Sequence, residues 1–332
     1  LDISEIISKV SSKTGLLAYH GNDERLEIDL IPFGIPQLDF AIGGGLPRGR
    51  IIILEGDSQG GKTFLSQLAI RGAQRKGLSC VYHNCESKFD PSWFARSGVD
   101  LDKLVVVEGN IMEGVYDAVI SLIEGNVGMI VIDSLAALVP ASEADESMMQ
   151  QFMGLQARVN SRAFRNVATA LSSSNTTLVC TNQKRSGIGT FSKDFNPGGN
   201  APVFYASMIL NVRRRDWIEN GKDNRVGFRM AVRVTKNNVY IPWKECEMPF
   251  YFTRAEIDLV ESVCELAVEK GIIEKGGSWF TYGDTKIQGL ANMVDYFKGD
   301  NEAFEELSKE LLTPENVEEE EDVKTDDNED TD

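Results

Sequence analysis

The amino-acid sequence predicts an α/β fold: a mostly parallel, twisted sheet with helices on both faces, followed by a small α+β region. Three observations predict it. From Arg50 onward, short β-rich apolar runs alternate with helix-length stretches, as strands do when both faces of a parallel sheet are covered. From Met208 the apolar runs follow one another without helices between them. From Ala255 the apolar residues return to helical spacing.

Taken in order, Ile51–Glu55, Ser79–Tyr82, Leu104–Val107, Met129–Ile132 and Thr177–Cys180 read as the parallel strands. The helices between them are Lys62–Lys76, Pro91–Ser97, Met112–Gly125 and Met148–Ser173. Met208–Arg213, Phe228–Thr235 and Met248–Phe252 extend the sheet as an antiparallel flank. Ala255–Lys270 carries Ile257, Val260, Val263, Cys264 and Ala267 on one helical face and opens a second region that runs to about Leu312. Pro314 closes the folded part, and the acidic, apolar-poor residues after it are expected to be disordered. The expected organisation is an N-terminal segment (1–30), a core (31–250), a C-terminal domain (251–314) and an acidic tail (315–332).

The chain has 332 residues, 42% hydrophobic and 26% charged, which suits a globular protein with a sizeable core. No apolar stretch reaches the roughly 18 residues of a membrane span, so no membrane partner is expected. Leu1-Asp-Ile-Ser-Glu5 has neither a basic nor an apolar leader region, and five cysteines without paired spacing fit reduced thiols. A cytoplasmic setting follows as the expectation.

The net charge of −17 argues against a polyanion partner until its distribution is read. Residues 315–332 hold eleven acids and one Lys, or −10, whereas residues 151–250 hold fifteen Lys and Arg against six acids, or +9. A basic centre in an acidic chain permits nucleic-acid binding. Charge alone favours an ordinary solvated face.

Gly56-Asp57-Ser58-Gln59-Gly60-Gly61-Lys62-Thr63 is stronger. It follows a strand and opens a helix, the context a phosphate-binding loop requires. Its glycines let the backbone wrap phosphates, and the helix start offers free N–H groups and partial positive charge. Lys62 reaches the β- and γ-phosphates, and Thr63 offers its hydroxyl to Mg²⁺. Downstream, Met129-Ile-Val-Ile-Asp133 is an apolar strand ending in an acid, placed to hold the same metal, usually through water. Glu86 follows the strand Ser79–Tyr82 at the sheet's carboxyl edge, where ligands of such sheets bind. It is either a carboxylate that polarises an attacking water or a loop acid. Cys80-Val-Tyr-His83-Asn-Cys85 has no second ligand pair nearby and is rejected as a zinc site. With His20 and His83 the only histidines, a Ser-His-Asp hydrolase is poorly supported.

Two segments look DNA-facing. Pro140–Gly154 leads into a helix on which Arg158, Ser161, Arg162 and Arg165 share one broad face. Lys184–Asn200 is a Gly/Ser/Lys/Arg loop able to offer cations and N–H groups to phosphates. Loops of this length inside a compact domain are usually functional or disordered.

Together these residues resemble the bacterial RecA-type recombinases, including those that phages encode. The likeness runs from about Ile31 to the acidic tail. It covers Leu46-Pro-Arg-Gly-Arg50, the phosphate loop, Glu86-Ser-Lys-Phe-Asp90-Pro91, Asp133-Ser134 and Met153-Gly-Leu-Gln-Ala-Arg158. Asn182-Gln183, Gly198-Gly199-Asn200-Ala201, Phe204-Tyr-Ala-Ser207, Lys236-Asn237 and Ile272-Ile-Glu-Lys-Gly-Gly-Ser-Trp279 continue it.

The resemblance implies a RecA-like P-loop ATPase core, ATP and Mg²⁺ as cofactors, and a helical filament of this chain on single-stranded DNA that pairs with homologous duplex DNA. It implies that Glu86 activates water, that Gln183 senses the γ-phosphate, and that Asp90 and Trp93 sit at the adenine. Lys236 would reach the ATP of the neighbouring subunit, and residues 1–30 would make a subunit contact. Met153, Arg158, Ser161 and Arg165 would belong to the first DNA loop and its helix. Ile188 would wedge between base triplets, and Gly198, Gly199 and Asn200 would hold the DNA backbone. Single-strand-binding and loader proteins are further candidate partners. Two positions depart from the family pattern: Asn238 and Val203 stand where a lysine is common, and each removes a cation from the subunit contact. A ring-shaped DNA motor and a non-catalytic mediator are the alternatives. The C-terminal likeness opposes the first, and intact Lys62, Glu86 and Asp133 oppose the second.

Overall fold

The computed structural model describes residues 2–144, 154–183, 198–222 and 224–311. By contacts the chain divides into Leu1–Leu30 and Ile31–Asp332. The first unit is built on α1 (Ile3–Thr14), started by the Asp2 side chain, which accepts from the Ile3 N–H at 2.7 Å, and ended by Gly15 at φ 70°. Ile3, Ile6 and Val10 form an exposed stripe on it, their spacing keeping them on one face.

In the second unit, α2 (Pro36–Ile42) precedes β1 (Ile51–Gly56) and α3 (Lys62–Arg75). Then come β2 (Cys80–Asn84), α4 (Pro91–Arg96), β3 (Leu104–Glu108), α5 (Met112–Glu124), β4 (Met129–Asp133), α6 (Leu155–Leu171) and β5 (Thr177–Gln183). After α7 (Ala201–Tyr205) follow β6 (Met208–Glu219), β7 (Arg225–Asn237), β8 (Glu245–Tyr251) and β9 (Glu256–Ile257). One nine-stranded sheet joins them in the order β9-β8-β7-β6-β1-β5-β4-β2-β3. The stretch from β6 to β3 is parallel, and β7, β8 and β9 are antiparallel to their neighbours.

Alternation along β1 explains both covered faces. Ile52 and Leu54 join a core with Leu38 of α2, Phe64, Leu65 and Leu68 of α3, and Phe94 of α4. Ile51 and Ile53 join another with Val115 and Val119 of α5, and Phe164 and Val167 of α6. Period-two strands between two helical layers leave no polar face, so the strands read as unbroken apolar runs. The residue order also places the carboxyl ends of β1, β2, β4 and β5 on one edge, where the strand order reverses and such sheets open a crevice.

The last region holds α8 (Leu259–Glu269), the three-stranded antiparallel sheet β10 (Glu274–Gly276), β11 (Trp279–Tyr282) and β12 (Thr285–Gln288), then α9 (Leu290–Gly299) and α10 (Asn301–Leu311). It has its own core of Val263, Leu266, Ile273, Phe280, Met293, Phe297 and Leu307. A small α+β C-terminal part is therefore present.

Three expectations are corrected. β6 is antiparallel to β7, as the flank requires, but its other edge pairs parallel to β1 from Met208 opposite Ile52, so it belongs to both parts of the sheet. The helix expected from Ala255 begins at Leu259, because Ala255 adopts φ 51° and Glu256–Ile257 pair with β8 before the Asp258 carboxylate caps the Glu261 N–H. The helix expected from Met148 begins at Leu155 among the described residues, after Gly154 at φ 81°, a conformation a helix interior cannot hold. The acidic tail, Met153, Ile188 and the cations Lys184, Arg185 and Lys193 lie outside the described residues.

Candidate active site and nucleic-acid interface

β1 runs into the loop 56–63, and the loop turns into α3. Gly56, at φ 144°, presses against the Val212 carbonyl of β6, and Gly61, at φ 104°, against the Met230 side chain of β7. A Cβ at Gly56 would overlap a backbone carbonyl that cannot move aside, and at Gly61 the positive φ itself strains a side chain, so the loop's path favours glycine at both. The Lys62 ammonium donates to the carbonyls of Gly56 at 2.9 Å and Asp57 at 2.6 Å. Burial draws its pKa below the ordinary lysine value, against the pull of Asp133, Asp57 and Glu86.

Thr63, the second helical residue, donates its hydroxyl to Asp133 Oδ2 at 2.8 Å. Asp133 ends β4 and is only 7% exposed. Thr181 of β5 donates to Oδ1 at 2.6 Å, and Tyr82 of β2 donates to Oδ2 at 2.9 Å. One carboxylate and one hydroxyl, both hard oxygen donors, fit a cation such as Mg²⁺, which is commonly completed by water and phosphate oxygens. No cluster of three or more His, Cys, Asp or Glu suited to a metal occurs among the described residues.

Glu86 stands beyond the end of β2. Its Oε1 accepts from Ser134 at 2.6 Å and its Oε2 from Lys88 at 2.6 Å. Burial raises this carboxyl, but Lys88 and Ser134 together outweigh it and hold it below the ordinary glutamate value. Lys88 returns over Glu86 because Ser87 takes φ 52° and the Asn84 side chain accepts the Lys88 N–H at 3.1 Å. Lys62, Thr63, Glu86, Lys88, Trp93, Asp133 and Gln183 line one cleft of about 370 Å³, joined by Ser58, Gln59 and Gly61 from the loop. Phe228 of β7 and Phe250 of β8 line it too.

Of the expected nucleotide residues, Gly56, Asp57, Gly60, Asp90 and Lys236 do not line the cleft, and Lys236 is the one expected at a neighbouring subunit's ATP rather than at its own. Asp90 is not in that cleft wall; its carboxylate caps α4, accepting from the N–H groups of Ser92 at 2.9 Å and Trp93 at 3.3 Å. Lys236 is also outside it and donates to the carbonyls of Val203 and Phe204, each at 3.1 Å. Sequence reading missed Lys88, Tyr82, Thr181, Phe228 and Phe250, because no motif spacing ties them to the loop.

On α6, Arg158, Ser161, Arg162 and Arg165 are all exposed, while Ala163, Phe164, Val167 and Leu171 face the core. Asn160, fully buried, joins this helix to Gly198, at the end of the second segment expected to face DNA: its amide donates to the Gly198 carbonyl at 2.8 Å and accepts from Tyr116 at 2.5 Å. Gly198 and Gly199, at φ 88° and 82°, lie against Asn160 and Ala157. Asn200, exposed, precedes α7. The structure thus brings Gly198–Asn200 onto the start of the arginine-bearing helix.

The comparisons agree along the chain. The family model for the RecA N-terminal domain matches residues 2–256, and that for the RecA C-terminal domain matches residues 261–313. Protein RecA of Acidothermus cellulolyticus is 38% identical over 302 residues, covering 90% of this chain and 87% of that protein. Protein RecA of Thermus aquaticus is 37% identical over 297 residues, covering 88% and 87%. That of Paenarthrobacter aurescens is 38% identical over 294 residues, covering 87% and 84%. With the phosphate loop, its strand-end acid and both matched domains in place, the chain belongs to the RecA family.

Proposed function

We propose that this chain is a recombinase: a DNA-dependent ATPase that assembles as a filament on single-stranded DNA and pairs it with homologous duplex DNA. The observation that carries the reading is the meeting of Lys62, Thr63, Asp133, Glu86 and Gln183, from four separate strand ends, around one cleft.

In this reading the β- and γ-phosphate oxygens of ATP replace the Gly56 and Asp57 carbonyls as partners of the Lys62 ammonium. Thr63 and Asp133 hold Mg²⁺, which when bound neutralises phosphate charge. Ser134 fixes one oxygen of Glu86. The other is shared with the exposed Lys88, a pair worth about 1 kcal/mol or less, so a water at the γ-phosphate competes for it and loses a proton toward Glu86. Gln183, on the strand that runs into residues 184–197, is suited to couple the γ-phosphate to the DNA loop. Trp93, at the cleft wall, is suited to stack on the adenine; Asp90, at the start of the same helix, fixes that helix's first turn.

Lys236 and the Ile3, Ile6 and Val10 stripe of α1 are the surfaces we assign to the neighbouring subunit. Arg158, Ser161, Arg165, Gly198, Gly199 and Asn200 would meet the DNA backbone, with Met153 and Ile188 nearby in the chain. Five unpaired cysteines accord with a cytoplasmic setting.

Glu86→Gln separates chemistry from binding. It should leave ATP affinity within a fewfold of wild type and slow DNA-stimulated hydrolysis on the order of 100-fold or more. Lys62→Ala should lose binding itself. A Glu86→Gln chain that hydrolyses ATP at the wild-type rate removes Glu86 from the mechanism, and a wild-type chain that hydrolyses nothing with single-stranded DNA present removes the reading.

A further inference from the structure

The Asp133 carboxylate has more donors than a phosphate loop needs. Thr63 belongs to the loop helix, but Tyr82 and Thr181 come from β2 and β5, the strands that flank β4 on either side. Tyr82 is 3% exposed and Thr181 0% exposed. The Tyr82 ring packs among apolar neighbours, with centroids 4.8 Å from Phe94 and 5.9 Å from Phe89. A phenylalanine would fill that space, and a valine would fill the space of Thr181. A hydroxyl sunk into such surroundings costs free energy unless it is paired. Both hydroxyls are paired to the same carboxylate, one on each oxygen.

An ionised carboxylate offers about four lone-pair directions. Thr181 takes one on Oδ1, and Thr63 and Tyr82 take those on Oδ2, so the group is gripped from both sides and cannot turn about its terminal bond. Mg²⁺ demands near-ideal octahedral geometry, whereas Ca²⁺ accepts irregular shells. The orientation of one carboxylate therefore weighs more heavily on Mg²⁺.

We infer that Tyr82 and Thr181 are positioning residues that pre-orient Asp133 for the divalent cation and set the site's preference for Mg²⁺ over Ca²⁺. The inference rests on the nucleotide-site reading above. Losing an outer partner of this kind typically weakens metal binding 10- to 100-fold.

The test follows a fluorescent ATP analogue bound to the full chain, first in EDTA and then across Mg²⁺ and Ca²⁺ titrations, for wild type, Tyr82→Phe and Thr181→Val. Binding in EDTA should match wild type in both variants, which also reports an intact fold. The Mg²⁺ concentration for half-saturation should rise about tenfold, and that for Ca²⁺ should rise less. Half-points equal to wild type, or equal losses with both cations and in EDTA, would overturn the inference and reduce the hydroxyls to packing. A wild-type chain whose analogue binding ignores Mg²⁺ would overturn the nucleotide-site reading first, and this one with it.

Discussion

A single carboxylate of α2 holds the segment that leads into it, and an arginine of α3 grips the same segment. Asp39 accepts the N–H groups of Phe33 at 2.7 Å, Gly34 at 2.8 Å and Ile35 at 3.2 Å, while Arg71 of α3 donates to the Phe33 carbonyl at 3.0 Å. Burial pushes the Asp39 carboxyl up to about 6, more than its three N–H donors and Arg71 pull it down. The folded chain therefore holds this proton more tightly than the unfolded chain, whose value is near 3.8. Stability from this group is complete below the unfolded value and is lost as pH rises through the folded one. Two units correspond to about 3 kcal/mol. In urea unfolding from pH 4 to pH 7, wild type should lose ground to Asp39→Asn as pH rises, with the difference levelling above about 6.5. A difference that does not vary with pH would refute it. The residues legible from sequence are those marked by a local pattern: consecutive loop positions, or an acid at the end of an apolar strand, as for Asp133. Gly56 to Thr63 act as eight consecutive positions, so their pattern declares itself. Tyr82 and Thr181 bond to Asp133 across 51 and 48 positions, and their hydroxyls mean nothing until strand order is known.

At the scale of elements, periodicity located most strands and helices, and backbone conformation corrected their limits. Apolar runs without helices between them give the antiparallel pairing of β6 with β7 but not the parallel pairing of β6 with β1, which follows the short α7. Arg158 and Arg165 illustrate what periodicity settles and what it does not. Their spacing gives a shared face, and the structure leaves that face exposed, but exposure alone also suits a solvated helix. The docking of Gly198 on Asn160 puts a backbone-presenting segment beside the arginines, which favours DNA phosphate as their partner. Arg158→Ala and Arg165→Ala should each weaken single-stranded DNA binding to a similar degree for every sequence. Each should also make the log–log salt dependence shallower by about 0.7. Fluorescence anisotropy across a salt series measures both, and unchanged affinity with an unchanged slope returns the arginines to the solvated face.

For the molecule as a whole, charge is divided so that one part can act on another. Residues 315–332 carry −10 of the total −17, whereas residues 151–250, which include the arginine face of α6 and the segment ending at Asn200, carry +9. The acidic segment lies outside the described residues. A polyanion of this size on the same chain should compete with DNA at high local concentration, and duplex DNA should feel the competition most. Removing Glu315–Asp332 should therefore speed association with duplex DNA and lessen its dependence on Mg²⁺. The effect must also fade with salt, because at about 1 M the Debye length shrinks to about 3 Å and exposed charges no longer see one another. Acidic tails often do no more than keep a protein dispersed, and that rival makes a different forecast: equal association rates for full-length and truncated chains at every salt concentration. Stopped-flow association of both forms with duplex DNA, from low to high salt, separates the two. A rate advantage for the truncated chain that is large at low salt and gone near 1 M is the result expected of a tethered competitor, whereas equal rates at low salt leave the tail only a solubilising role.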